Sequence, residues 1–225
     1  MNILILVLVL FGSICIRPAF LQAAGGADLN KLMEETQQRS SEPQEATFVW
    51  WIPQEYWKIS LAQNPQVSAQ QKEEFTEVFK PYLLFVVVDG KVSTMGMINY
   101  KSEEEVRGLI KLEDKDGNIY QPLKENEINQ DTKSFLMMMK PMWVNALGAM
   151  GQNMHFFLFT NKNKEGGRFC EASEEGRFSV LLGDRRFDWK LPLSSLIAPK
   201  ICPICGAKLN GSYKFCPWDG TKLEE

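Results

Sequence analysis

Apolar residues along this chain fall mostly at strand spacing, with shorter helical stretches between them. Thr47-Phe-Val-Trp-Trp-Ile52 combines aromatic and β-branched side chains and predicts the opening strand of a globular domain. Leu83 to Val88 is an unbroken apolar run, and Asp89-Gly90 after it predicts a hairpin turn into Lys91 to Ile98. Leu109 to Leu112 and Ile119 to Leu123 flank Asp114-Lys-Asp-Gly-Asn118. An Asp-Gly hairpin accounts for that stretch, because a calcium loop would need regular ligand spacing and a terminal bidentate Glu. Met154 to Thr160 is apolar on both faces, and Phe178 to Leu182, Gly183-Asp184 and Arg185 to Leu191 predict another hairpin.

Helices are marked by their caps. Asp28 to Arg39 reads as a short polar helix, followed by a linker at Ser40-Ser-Glu-Pro-Gln-Glu45. Ser68 reads as the N-cap of a helix that runs to Phe79 and ends before Pro81, with Phe75, Val78 and Phe79 on one side. Ser102-x-x-Glu105 is a capping-box pattern for a short helix. Asp131 to Lys140 and Pro141 to Met150 read as two consecutive helices, with Pro141 in the first turn of the second. Strands throughout, joined by hairpin turns, predict an α+β fold that is mainly antiparallel and sandwich-like with helical insertions.

The N-terminus has a different pattern. Ile3 to Phe11 is apolar without a break, and Gly12 to Ile16 stays uncharged before Arg17-Pro18. Such a run spans about 21 Å as a helix, short of the roughly 30 Å hydrocarbon layer. Ala23, Ala24, Gly25 and Gly26 then offer a signal-peptidase site. The expectation is a cleaved secretory signal over residues 1–24 and an exported protein. The alternative is an uncleaved anchor: positive charge appears only at Arg17, which favours a cytoplasmic C-terminal side.

Composition narrows the function. The chain carries 25 Lys and Arg against 28 Asp and Glu, a net charge of −3, so no dense basic field exists to neutralise nucleic-acid phosphates. A single His, His155, excludes His-based metal centres such as HExxH, and neither GxGxxG, GxxxxGK[ST] nor GxSxG occurs. Met137, Met138, Met139, Met142, Met150 and Met154 crowd one region, where packing explains them better than a copper site. Trp50, Trp51 and Trp57, with Tyr56, form the densest aromatic cluster, read as core or alternatively as a platform for a sugar or peptide.

The last residues carry the readable chemistry. Cys202-Pro-Ile-Cys-Gly-Ala-Lys-Leu209 and Cys216-Pro-Trp-Asp-Gly-Thr-Lys-Leu223 share Cys, Pro, Gly, Lys and Leu at the same offsets, an internal repeat. A Cys-x-x-Cys turn brings two thiolates to one tetrahedral ion, and the glycine after it allows positive φ so that amides point back at sulfur. Residues 200–223 thus resemble a zinc ribbon, which implies structural Zn2+ bound by Cys202, Cys205, Cys216 and the residue at 219. Asp219 stands where the fourth Cys would be, and a carboxylate oxygen is an acceptable zinc ligand. Two other readings stay open: a metal-free ribbon in which Asp219 turns the chain with Gly220, or Cys170 as fourth ligand or disulfide partner. Thiol–disulfide oxidoreductases also use Cys-Pro-x-Cys, but need a βαβ setting that the short remaining tail lacks.

The expected organisation is a signal or anchor (1–24), a short helix and linker (25–45), a β-rich domain (46–199) and the ribbon-like module (200–225). The expected function is that of an exported, envelope-associated, non-catalytic protein with structural zinc and a protein partner, touching membrane only through an uncleaved N-terminus. The alternatives are a ligand-binding protein or enzyme using the Trp50/Trp51/Trp57 region, and an anchored adaptor facing the cytoplasm.

Overall fold

The computed structural model describes residues 28–224, so the N-terminal apolar run and its cleavage site lie outside the described residues. In chain order the helices are α1 (Leu29–Thr36), α2 (Gln54–Ala62), α3 (Ala69–Phe79), α4 (Glu103–Leu109), α5 (Gln130–Leu147) and α6 (Ala149–Gln152). The strands are β1 (Gln37–Arg39), β2 (Phe48–Ile52), β3 (Tyr82–Val88), β4 (Gly90–Val92), β5 (Ile98–Tyr100), β6 (Ile110–Glu113), β7 (Ile119–Tyr120), β8 (His155–Thr160), β9 (Gly176–Leu182), β10 (Arg185–Leu191), β11 (Lys200–Ile201) and β12 (Lys208–Leu209).

The apolar runs at β2, β3 and β8 lack polar alternation because the sheet they form is covered on both faces. That sheet has the order β1-β2-β3-β8, antiparallel throughout. Its register aligns Trp51, Phe85 and Phe157 on one face. There Trp51 meets Phe178 edge-on at 4.8 Å and Phe85 lies 6.2 Å from Trp189, both partners belonging to a second antiparallel sheet of order β10-β9-β6-β7. The opposite face presents Trp50, whose ring meets Tyr56 of α2 at 5.6 Å and Trp143 of α5 at 5.4 Å. Trp50 also donates its indole N–H to Thr36 of α1 at 3.1 Å. Farther into this helical layer, Trp57 packs among Phe75, Phe79 and Phe135. Helices, central sheet and second sheet therefore make three layers around one hydrophobic core, an α+β, β-rich arrangement as the pattern predicts.

Local signals hold where they are self-contained. Ser68 and Gln71 close a capping box at α3, Ser102 and Glu105 close another at α4, and Asp114 accepts the Asn118 amide across the β6–β7 turn. The Gly183-Asp184 loop joins β9 to β10 as expected. Three expectations are corrected, and one helix is added. Asp89-Gly90 is not a hairpin turn: β4 pairs with β5, and Asp89 is a buried ion-pair centre. Pro141 does not begin a helix but sits inside α5, and the break falls at Gly148, where φ is +56°. Helix α1 stops at Thr36, because Gln37–Arg39 is drawn out as β1 against β2. Helix α2 follows directly from Pro53, unmarked by a side-chain cap.

The chain leaves the main layers through Ser194 and Ser195, and this exit is tied down. Glu35 of α1 accepts the Ser194 amide at 3.1 Å and the Ser195 amide at 3.0 Å, together with both hydroxyls. Charge-assisted bonds to one carboxylate fix the base from which the C-terminal module starts.

Candidate metal centre

Beyond residue 199 the chain builds the same unit twice. The repeat runs from Lys200 to Leu209 and from Lys214 to Leu223, two residues longer on its N-terminal side than the Cys-to-Leu match. In the first unit Gly206 donates to the Cys202 carbonyl at 2.9 Å and Cys202 donates to Ala207 at 2.9 Å. In the second, Gly220 donates to Cys216 at 2.9 Å and Cys216 donates to Thr221 at 2.8 Å. Each knuckle is closed by a short antiparallel pair, Ile201 opposite Lys208 and Phe215 opposite Lys222. Gly206 and Gly220 hold φ at +69° and +72°, the left-handed conformation that ends each turn.

Cys202, Cys216, Leu209 and Leu223 form a small buried cluster of their own with Ala207 packed against it. Leu209 and Leu223 pack with these two cysteines, and the ligand atoms of the knuckles face one another across a small gap. Across that gap one ligand atom from each of Cys202, Cys205, Cys216 and Asp219 lies within 4.8 Å of all the others. Cys205 Sγ is 3.7 Å from Cys216 Sγ, and Cys202 Sγ is 3.3 Å from Asp219 Oδ2. A sulfur–sulfur bond needs about 2.05 Å, so no cysteine pair here is a disulfide. A tetrahedral zinc ion, by contrast, sets two sulfurs about 3.8 Å apart and a sulfur and an oxygen about 3.5 Å apart. These two separations match edges of such a tetrahedron, and the cluster can hold a metal ion.

The surroundings act on these donors unequally. Burial works to raise the pKa of Cys202, but the amides of Cys205 and Ile204 directed at its sulfur prevail and hold it below the ordinary thiol value. Cys205 accepts the Ala207 amide, which lowers its pKa, yet desolvation and the neighbouring Asp219, Cys202 and Cys216 push it up to about 12. Asp219 is bonded by the Thr221 side chain and amide, the latter at 2.9 Å, and its carboxyl is held well below the usual carboxylate range. Unlike a thiol, it is therefore a ready anion at neutral pH.

Other candidate residues fall elsewhere. Cys170 is half-buried against the main core and stands outside the four-residue cluster, so it supplies neither ligand nor disulfide partner there. Burial, aided by Glu55 and Glu171, pushes its thiol pKa up, which makes it inert. Trp50, Trp51 and Trp57 are each 2% exposed and offer no face to a sugar or peptide. The cavity beside Trp51, lined also by Gln54, Glu55 and Asn161, measures about 20 Å³, room for one water molecule. Of the six methionines between 137 and 154, Met139 and Met154 belong to the main core, Met138, Met142 and Met150 pack partly buried against it and Met137 is exposed, which fits a packing role. His155 is buried, its Nε2 3.1 Å from the Lys101 carbonyl. One surface feature escaped the sequence reading: Ile201, Ile204, Phe215 and Trp218 of the ribbon are all exposed. Their matching places in the two repeats were the available signal. No protein-family model, no curated protein and no solved structure matches this chain.

Proposed function

We propose that the C-terminal module binds one zinc ion through Cys202, Cys205, Cys216 and Asp219, and that the metal is structural. The observation that carries this reading is the convergence of three sulfurs and a carboxylate, from two knuckles of one repeated sequence pattern, within 4.8 Å of one another. Three sulfurs favour a soft or borderline ion, and fixed tetrahedral geometry favours zinc among those. The role is structural because the module buries only four side chains in its own core, too few to hold a fold of this size. All four coordination positions are taken by protein, which leaves none for substrate.

On this reading the protein is non-catalytic, exported and associated with the cell envelope, and its β-rich domain binds a protein partner. The apolar run at Ile3–Ile16 supports export. Support for a partner comes from the hairpin of β4 and β5, which carries Met95, Met97 and Ile98 exposed. In an oxidising compartment the bound metal keeps the three ribbon thiols from pairing at random.

The test is metal content together with thiol reactivity on natively purified protein. The expected result is one zinc per chain, with Cys202, Cys205 and Cys216 shielded from alkylation until a chelator is added. Cys170 should stay unreactive at neutral pH until the main domain unfolds. Metal-free protein with ribbon cysteines that alkylate at once, or that have oxidised in pairs, would overturn the reading.

A further inference from the structure

The two knuckles repeat more than their ligands. Ile201 and Phe215 occupy matching places and are 70% and 58% exposed; Ile204 and Trp218 match likewise and are 74% and 77% exposed. Each of the latter immediately precedes a ligand, Cys205 or Asp219, so both leave the chain at the metal end of the module. Ile201 stands opposite exposed Lys208 and Phe215 opposite exposed Lys222, which sets an apolar side chain beside an ammonium group twice over. Lys214 is also exposed, and Tyr213 is half-exposed next to it. Large apolar side chains left this open on so small a module are costly unless something covers them.

We propose that the knuckle end of the ribbon is a membrane-contacting surface, with Trp218 and Ile204 entering the interface of an anionic bilayer and Lys208, Lys214 and Lys222 facing its headgroups. The proposal rests on the zinc reading for the rigidity of the knuckles. A protein partner is the less favoured occupant, because lysine is depleted from protein interfaces. Tryptophan, tyrosine and lysine together are what a membrane interface selects: aromatic rings settle at headgroup level, and lysine stems lie along apolar surface with the charge in water. Charge is arranged locally: the formally dianionic metal site together with Glu224 and Glu225 balances the four lysines of the module, and Lys208 and Lys222 are the ones that stand beside Ile201 and Phe215. Read as an uncleaved anchor, the N-terminal apolar run would also hold the same chain at a membrane.

The molecule contains its own probe. Of six tryptophans, Trp50, Trp51, Trp57, Trp143 and Trp189 are buried, so long-wavelength emission belongs to Trp218. The full chain, with its zinc content measured on the same sample, is mixed with phosphatidylglycerol–phosphatidylcholine vesicles or with phosphatidylcholine alone, each with and without brominated acyl chains. An N-terminal run retained on the chain would bind either vesicle, so the readout is insertion at Trp218 and not partition. The expected result is a blue shift and loss of most Trp218 emission to brominated lipid in anionic vesicles only. W218F should abolish that component at unchanged zinc content. K208Q/K222Q should shift the insertion equilibrium about thirty-fold toward the free state. Trp218 emission that stays water-like and unquenched in zinc-loaded protein would overturn the membrane contact and leave the metal site standing. Trp218 shielded without lipid, by self-association or by a co-purified protein, would overturn it equally. Quenching in protein that carries no metal would sustain the contact and refute the zinc reading.

Discussion

Asp219 occupies in the second knuckle the place that Cys205 holds in the first, and the two differ in more than donor atom. A carboxylate already ionised by its Thr221 bonds needs no proton removed by the metal, whereas each thiol does. Against that, oxygen binds zinc with less covalency than sulfur and gives a less discriminating site. Asp219→Ala should therefore weaken zinc by more than the roughly 100-fold that loss of an outer partner costs, measured by chelator competition. Asp219→Cys should restore or tighten binding. An unchanged affinity for Asp219→Ala would mean that this carboxylate only turns the chain. The four residues of the cluster were legible from the offset of the two repeats. Whether Cys170 belonged among them was not, because the distance between two segments of chain is a property of the packed domain.

At the scale of single elements, each knuckle depends on one backbone conformation. At Gly206 and Gly220 an added Cβ would meet nothing within 4 Å, so alanine there is opposed by backbone strain alone. The left-handed conformation costs an L-residue about 1–2 kcal/mol. Folding and metal binding are coupled in so small a unit, so either substitution should weaken zinc by about tenfold. An undiminished affinity would show that the knuckles are not ordered as described. Elements of this kind, closed by a few neighbouring residues, could be read from sequence: the capping boxes at Ser68 and Ser102 and the Asp114 turn are local hydrogen-bond devices. Asp89-Gly90 misled because its turn-like chemistry is spent at long range. Its carboxylate is claimed by Arg185, distant in sequence, and Gly90 is needed where Asn99 and Ile98 come close. Pro141 misled for a related reason, since tertiary packing of Met139 and Trp143 on either side keeps α5 continuous through it.

For the molecule as a whole, the join between the two sheets holds its main electrostatic stake. Asp89, at the end of β3, receives Arg185 of β10 through two bonds of 2.9 and 2.8 Å, Lys101 at 2.5 Å and the Thr47 hydroxyl at 2.9 Å. Burial would raise its pKa, but the Arg185, Lys101 and Thr47 bonds prevail and lower it. Asp89→Asn removes the carboxylate that Arg185 and Lys101 share, leaving Arg185 only its 3.3 Å pair with Glu45, and should cost about 3 kcal/mol in urea unfolding of the main domain. The sign of the pH effect follows from the lowered pKa. The group's contribution is complete above its unfolded value near about pH 4 and declines as pH falls through the folded value. The gap between wild type and Asp89→Asn should therefore narrow as pH drops below about 4, and a constant gap would show that ionisation of Asp89 is not the source.

The same division into a large core and a small separate cluster makes the metal centre a self-contained claim. It is met most directly by X-ray absorption at the zinc edge of the purified chain. The account predicts three sulfur neighbours near about 2.3 Å and one oxygen neighbour near about 2.0 Å. Four sulfurs, or a shell made mostly of light atoms, would contradict the assignment of Cys202, Cys205, Cys216 and Asp219 as the ligands.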